Sequence, residues 1–478
     1  MAHKQRLTMD TGAAVAKPMG TEKPAITAAL VDFVTRTGFE DISAEAIHRA
    51  KLSFFDAVGV AIGGSAEPGP HILAQFVKEA GGTPTASVIG HGFKTTPQYA
   101  AWVNGAATDV NGWADFSVIR ITHPTASICP AVLALGEALG ACGRDALLAY
   151  ILGVEISNKI AAGVQPGFHI KGWHSLGVFN TFGAAAAAGK LLGLDREQLA
   201  NAMGIAAAEA SGIRASMVTM AKSYVAGSSA RDGITAAILA QMGFTGPQDV
   251  MEARDGFLQT FGDGADGRKM LDNLGDPFEF VAPGLTLKSY PSCTHTHTGI
   301  YAALELKRKH MICADEIESV ECGVTPVVAD VLQWHDPRNE VEAKFSMEFC
   351  MASALVEGKL DMDTFTEEKL ASPEIRGLMR RIKMNISPEL ARLGYNPEVA
   401  PSGCILTIRL KNGRDYVQHQ YRGPWEPETP PSWDVLGRKF ISCARTVLAP
   451  GHVDQAMLLL RDLEQVDDIS GLMAMVRG

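Results

Sequence analysis

The chain has 478 residues, 46% of them apolar and 20% charged, a globular composition and not a disordered one. At about 150 residues per domain it is too long for one ordinary core, so two to four units are expected. A net charge of −10, with no dense block of Lys or Arg, excludes a nucleic-acid footprint.

Met1 to Pro24 are small and polar and read as a flexible N-terminal tail (residues 1–24) with no apolar signal-like stretch. No uninterrupted apolar run reaches the ~18 residues needed to cross a bilayer, so no membrane partner is expected. The eight cysteines stand singly, without a C-x-x-C pair, which points to free thiols in a reducing, cytoplasmic setting and away from zinc or disulfides.

From residue 25 to about 285 the pattern is helical. Ile26, Leu30, Phe33 and Val34 share one helix face, and Ser43 is placed to cap a second helix carrying Ile47, Leu52, Phe55 and Val58. Phe182–Leu194 and Asn201–Gly212 are crowded with alanine, and Gly233–Met242 mixes alanine with larger apolar residues. Alanine on several helix sides means close helix–helix approach in a large bundle.

Near Leu285 the texture changes. Leu285–Tyr290, Glu318–Thr325 and Ile405–Leu410 carry β-type residues, and Asn412-Gly413 after the last of these predicts a tight hairpin into Arg414–Tyr421. Helical stretches, Thr298–Lys307 and Ala343–Glu357, lie between them. Residues 286–420 therefore read as a smaller α+β domain. After the Pro-rich Pro424–Pro431, helix returns at Trp433–Val447 and Val453–Leu463, so residues 421–478 are expected to rejoin the first bundle. The fold class is mainly α: a large helical bundle with an α+β lid inserted between its two chain segments.

Four polar stretches interrupt this apolar texture: Asn104 to Ser127, Gly172–Ser175, Thr219–Tyr224 and Leu287–His297. Removing a proton from carbon beside a carboxylate needs a base, a cation for the growing enolate charge and a proton donor. His123, His174, Asp115, Lys222 and Lys288 supply these groups, and Lys and His also grip carboxylates. Each has a structural alternative. His123 beside Pro124 reads also as a packed polar residue, Asp115 as a loop or cap acid, and His174 as a neighbour of a Ser175 cap. Lys222 and Lys288 read also as solvated, and Cys293 as a buried thiol. His295 and His297 share a face if extended, but no third metal ligand is in reach.

Together these residues resemble the MmgE/PrpD family. The resemblance runs from about Ile26 to the C-terminus. It is carried by Asp56-Ala57-Val58-Gly59, Asn104-Gly105, His123-Pro124, Ala210-Ser211-Gly212 and Thr219-Met220-Ala221-Lys222. Gly243 to Pro247, Asp255-Gly256-Phe257, Lys288 to Cys293 with His297, and Phe345 to Phe349 continue it. It implies a homodimer without metal or organic cofactor, with the active site between bundle and lid. By position it implies catalytic roles for Asp115, His123, His174 and Lys222, and substrate binding by Lys288, Cys293 and His297. The activity implied is that of a lyase removing water or carbon dioxide from a small di- or tricarboxylic acid. An epimerase or isomerase on the same scaffold, and a non-catalytic homologue, are the alternatives.

The chain departs from the family pattern at three places. An aspartate-rich D-F-D-D-T segment is replaced by Gly112 to Ser117, so Asp115 matches either its first or its last aspartate. Val225 and Ser228 stand where a His and an Arg are common, and Phe349 where Tyr is frequent. Arg214, Arg120 and Arg231 are the candidates to replace the lost carboxylate partners.

Overall fold

The computed structural model describes residues 25–263, 265–393 and 402–478. The expected tail at residues 1–24 lies outside them.

The larger domain holds helices α1 (Ile26–Arg36), α2 (Ala44–Ser65), α3 (Pro68–Ala80), α4 (Pro97–Val110), α5 (Thr125–Leu139), α6 (Gly143–Val164), α7 (Gly167–Ile170), α8 (Ser175–Leu191), α9 (Arg196–Glu209) and α10 (Ala221–Gln241). Ser43 caps α2 as expected, its hydroxyl accepting from the Ala46 N–H at 3.2 Å. Helix α8 is buried on every side as far as Gly189, which its alanines and glycines permit because neighbouring backbones approach closely. Helix α6 is apolar and long enough to cross a membrane by length and composition, yet 94% of that stretch is buried inside the protein. It is a core helix.

The smaller domain carries α11 (His297–His310), α12 (Pro326–Val331), α13 (Met347–Glu357) and a four-stranded sheet of β1 (Ile317–Val324), β2 (Ile382–Ile386), β3 (Cys404–Leu410) and β4 (Asp415–Gln420). The order is β2-β1-β3-β4, with β1/β2 parallel and the other pairs antiparallel. Alternating residues of β3 (Cys404, Leu406, Ile408 and Leu410) face the helices. The chain then returns as α14 (Trp433–Ala444), α15 (Pro450–Arg461) and α16 (Ser470–Val476).

Two large apolar cores result among the described residues. One joins residues between Ile26 and Leu287 to residues between Leu436 and Val476, and the other spans Ile300 to Leu410. A hidden ion pair fixes the return. Lys439 on α14 reaches Asp56 on α2 at 2.7 Å, with both side chains buried.

Three local expectations change. Leu285–Tyr290 forms no strand; its only pairing is an isolated bridge between Thr286 and Phe116. Its Lys288 lines a cavity wall instead of joining a ladder. The hairpin forms, but Gly413 alone adopts positive φ (83°), and the Leu410 N–H donates to Arg414 across a longer loop. Ser175 begins α8 instead of capping it; His174 is the cap residue and makes no side-chain capping bond.

Candidate functional site

A cavity of about 640 Å³ opens between the two domains. His123, His174, Lys222, Lys288 and Cys293 all line it, brought from four separate chain segments.

The floor comes from the loop joining α4 to α5. His123 ends this loop, and its Nδ1–H donates to the Asp115 carbonyl at 2.7 Å. A carbonyl only accepts, so the neutral ring must carry its lone pair on Nε2. Burial, with Lys288 and Lys222 nearby, holds His123 well below the usual histidine range. The ring lies 4.7 Å from that of Phe116. The loop is pinned from behind, because Arg120 forks onto Glu279 at 2.7 and 2.9 Å and Lys159 of α6 meets the same carboxylate at 3.1 Å.

His174 and Arg214 are set side by side by backbone pairing. The His174 N–H donates to Gly212 at 3.1 Å, the Ser211 N–H to Gly177 at 3.1 Å and the Arg214 N–H to Gly172 at 2.8 Å. This close zip needs glycine at 177, since a Cβ there would stand 1.7 Å from the Ser211 carbonyl oxygen. Burial, then the Lys222 cation, lowers His174 to about 4, so it is neutral at pH 7. Its Nδ1 is buried without a hydrogen-bond partner among the described residues.

Lys222 opens α10 and meets both carboxylate oxygens of Asp109, near the end of α4, at 2.6 Å. Lys288 is 5% exposed and donates to the Gly112 carbonyl at 2.8 Å. Burial and the Lys222 charge lower it to about 8. Its own carbonyl, with that of Trp113, accepts from Lys439, so the ion pair holding the chain return also fixes the site's backbone. Burial pushes the Cys293 thiol up, which makes it a neutral wall group and not a thiolate.

Two expected residues do not line the cavity. Asp115 lies behind the floor, 2% exposed, accepting from the hydroxyls of Ser53 and Thr125. Burial pushes its carboxyl up to about 6. Its main-chain carbonyl, not its carboxylate, meets His123. His297 is buried at the start of α11, with Nε2 3.4 Å from the Ser292 carbonyl and its ring edge against Tyr290. The 3.6-residue period of α11 turns it inward, away from the cavity that His295 faces.

Sequence reasoning missed Asp109, His169, Lys344 and Asp330 as lining residues. A lone acid late in an alanine-rich helix was the available signal for Asp109. Of the three arginines weighed as replacements, Arg214 lines the cavity and its buried Nε has no partner among the described residues. Arg120 is committed to Glu279, and Arg231 to Asp232 at 2.7 Å. His169 and His295 are each lowered to about 4, chiefly by burial. The described residues contain no group of three or more His, Cys, Asp or Glu able to hold a metal ion.

A second cavity of about 560 Å³ lies beyond Val118, around Arg49, Arg120 and Arg422. It contains none of the His and Lys set above. Arg120 is tied to Glu279, and Arg49 to Glu45 and the Pro427 carbonyl.

Two family models match the chain, and the second extends past the α+β domain into the returning helices α14 and α15. Residues 28–269 match the MmgE/PrpD N-terminal domain and residues 290–465 the MmgE/PrpD C-terminal domain. The chain is 27% identical to cis-aconitate decarboxylase of Mus musculus over 448 residues, covering 90% of this chain and 89% of that protein. It is 24% identical to cis-aconitate decarboxylase of Aspergillus terreus, covering 95% and 96%. It is 25% identical to 2-methylcitrate dehydratase of Cupriavidus necator, covering 80% and 82%.

Proposed function

The chain belongs to the MmgE/PrpD family, and we propose that it is a lyase that removes water or carbon dioxide from a small di- or tricarboxylic acid. The observation that carries this reading is the convergence of Lys222, Lys288, His123 and His174 on one cavity between the domains. Its relatives in mouse, Aspergillus and Cupriavidus bear the names of a decarboxylase and a dehydratase of such acids.

The charges fit an acid. The cavity is lined by Lys222, Lys288, Lys344 and Arg214 against Asp109 and Asp330, while its histidines are held neutral. A bound dianion neutralises that set. Arg214 and Lys344 take carboxylate oxygens, Arg214 through an Nε that has no partner among the described residues. Lys222, already neutralised by Asp109, holds its place at the reacting end.

In dehydration, a neutral imidazole takes the proton beside the carboxylate; the lone pair on His123 Nε2 suits this. The C–H electrons form the new double bond, the C–O bond breaks, and the leaving hydroxyl needs a proton. Lys288, protonated and lowered to about 8, is matched to that task near neutral pH. In decarboxylation the C–C bond breaks instead, and the same cations stabilise the carbanion until it is protonated. Asp115 and His297 act through others in this reading, Asp115 by fixing the carbonyl that orients His123.

The reading includes an enzyme that needs no metal or organic cofactor, because the lysines and arginine supply the charge stabilisation. It also includes a homodimer in the cytoplasm. Eight free cysteines fit a reducing compartment. Met242 and Phe244, 77% and 58% exposed near one turn, suit burial against a second copy.

The test is incubation with 2-methylcitrate and with cis-aconitate in heavy water, followed by proton NMR and carbon dioxide release. An unsaturated acid or carbon dioxide, lost in His123→Ala and Lys288→Ala, is expected. Deuterium exchange without either product turns the assignment to an epimerase or isomerase. Wild-type and variant chains that are equally inert turn it to a non-catalytic homologue.

A further inference from the structure

The polar groups cover only part of the cavity. The rest of its lining is apolar and comes from both domains: Ile170, Met217 and Met220 from the helical one, Val327, Val331 and Val341 from the inserted one. Ile170 is 75% exposed, Met220 57% and Val341 40%. Scattered apolar residues at a surface need no explanation, but residues from separate segments converging on one cavity mouth do. The volume, about 640 Å³, falls among pockets that enclose drug-sized ligands, roughly 300–1,000 Å³. A compact acid leaves most of it empty.

Ile121 adds an independent observation. It lines the same cavity two residues before His123 and adopts φ of +54°, a left-handed conformation that a β-branched side chain tolerates badly. The Ser117–Thr122 backbone pair and the Arg120–Glu279 fork hold it there. Glycine or asparagine would sit at that position without strain. Keeping isoleucine puts an apolar wall in the same cavity as the imidazole, a surface that suits an apolar part of a ligand.

We propose that the acid taken by this cavity carries an alkyl substituent of several carbons. Its carboxylates lie among Lys288, Lys344 and Arg214, and its chain runs along Ile121, Met217, Val327 and Val331 towards the mouth at Ile170 and Met220. The two methionines suit chains of varied shape, because their side chains are flexible and polarisable. This inference rests on the lyase reading and narrows its substrate class.

The test is calorimetric titration of the full chain with succinate and with its 2-methyl, 2-butyl and 2-octyl derivatives, beside the turnover assay. The dissociation constant is expected to fall roughly three- to fourfold for each methylene buried, at least as far as butyl. Met217→Asn and Val331→Asn, which add no charge beside the cationic groups, are expected to lose the gain from chain length measured against each variant's own affinity for succinate. A dissociation constant that stays flat or rises along the series, with 2-methylcitrate or cis-aconitate turned over, overturns the inference and leaves the lyase reading standing. A gain kept in both variants places the chain elsewhere and also overturns it. No binding by any member and no turnover overturns the lyase reading, and this inference with it.

Discussion

Lys222 Nζ stands 2.6 Å from each carboxylate oxygen of Asp109, 113 residues away in the chain. The cation on α10 is thus neutralised by the neighbouring α4 before any substrate arrives. What the pair offers a ligand is a fixed ammonium position, while Lys288, Lys344 and Arg214 make no ion pair among the described residues.

The pair makes Lys222 structural as well as chemical. Asp109 is 2% exposed, so Lys222→Met strands a buried carboxylate, at an expected cost of about 3–5 kcal/mol in urea unfolding. Asp109→Asn with Lys222→Met removes both charges and should recover most of that stability. Activity should stay lost in the double variant. A double variant no more stable than Lys222→Met, or one that regains activity, contradicts the assignment.

The site's pH dependence has two limits. His174, lowered to about 4, stays neutral until the pH falls well below 5. Lys288, lowered to about 8, is charged below that pH and loses its proton above it. The kcat/KM profile should therefore be level from about pH 5 to 8 and fall on both sides. Lys288→Arg, a cation that does not titrate in this range, should remove the alkaline limb while lowering kcat.

Asp115 predicts a stability effect with a defined sign. Its carboxyl is raised from an ordinary 3.8 to about 6, so the folded chain holds that proton more tightly than the unfolded one. This group is therefore least costly below pH 3.8, and its cost grows as the pH rises through 6, to about 2–3 kcal/mol. Asp115→Asn still accepts from Ser53 and Thr125 but carries no charge. The stability of the variant relative to wild type should climb between pH 4 and 6 and then level off, as measured by chemical unfolding. A flat difference would mean that Asp115 is not buried as described.

Arg214 tests carboxylate recognition. Its Nε is buried without a partner among the described residues, so a substrate oxygen gains a charge-assisted bond there. Arg214→Met should raise KM about 10- to 100-fold with kcat changed little, the pattern of lost uniform binding. An equal fall in kcat would place Arg214 at the reacting carbon instead.

Much of this protein was legible in its sequence because the signals are local. Helical periodicity and alanine crowding marked the bundle, alternation marked β3, and Asn412-Gly413 marked the turn. The composition shift near Leu285 marked where the first segment of the larger core ends. The edge strand β2 was not legible. It has five residues with only Ile382 buried, and its parallel pairing with β1 is decided by a segment 62 residues away.

The direction in which polar side chains face was also beyond local reading. Asp115 and His297 sit on the same segments as His123 and His295, yet the first pair points into packed interior and the second into the cavity. Asp109 and Lys439 became visible only when α4 met α10 and α14 met α2. Sequence by itself determined the helices of the bundle, the β3–β4 hairpin and the reactive residue types these segments carry, since all follow from short-range periodicity and side-chain chemistry. Tertiary structure alone decided which of those groups share a cavity, because facing, burial and counter-charge are set by walls contributed from distant parts of the chain.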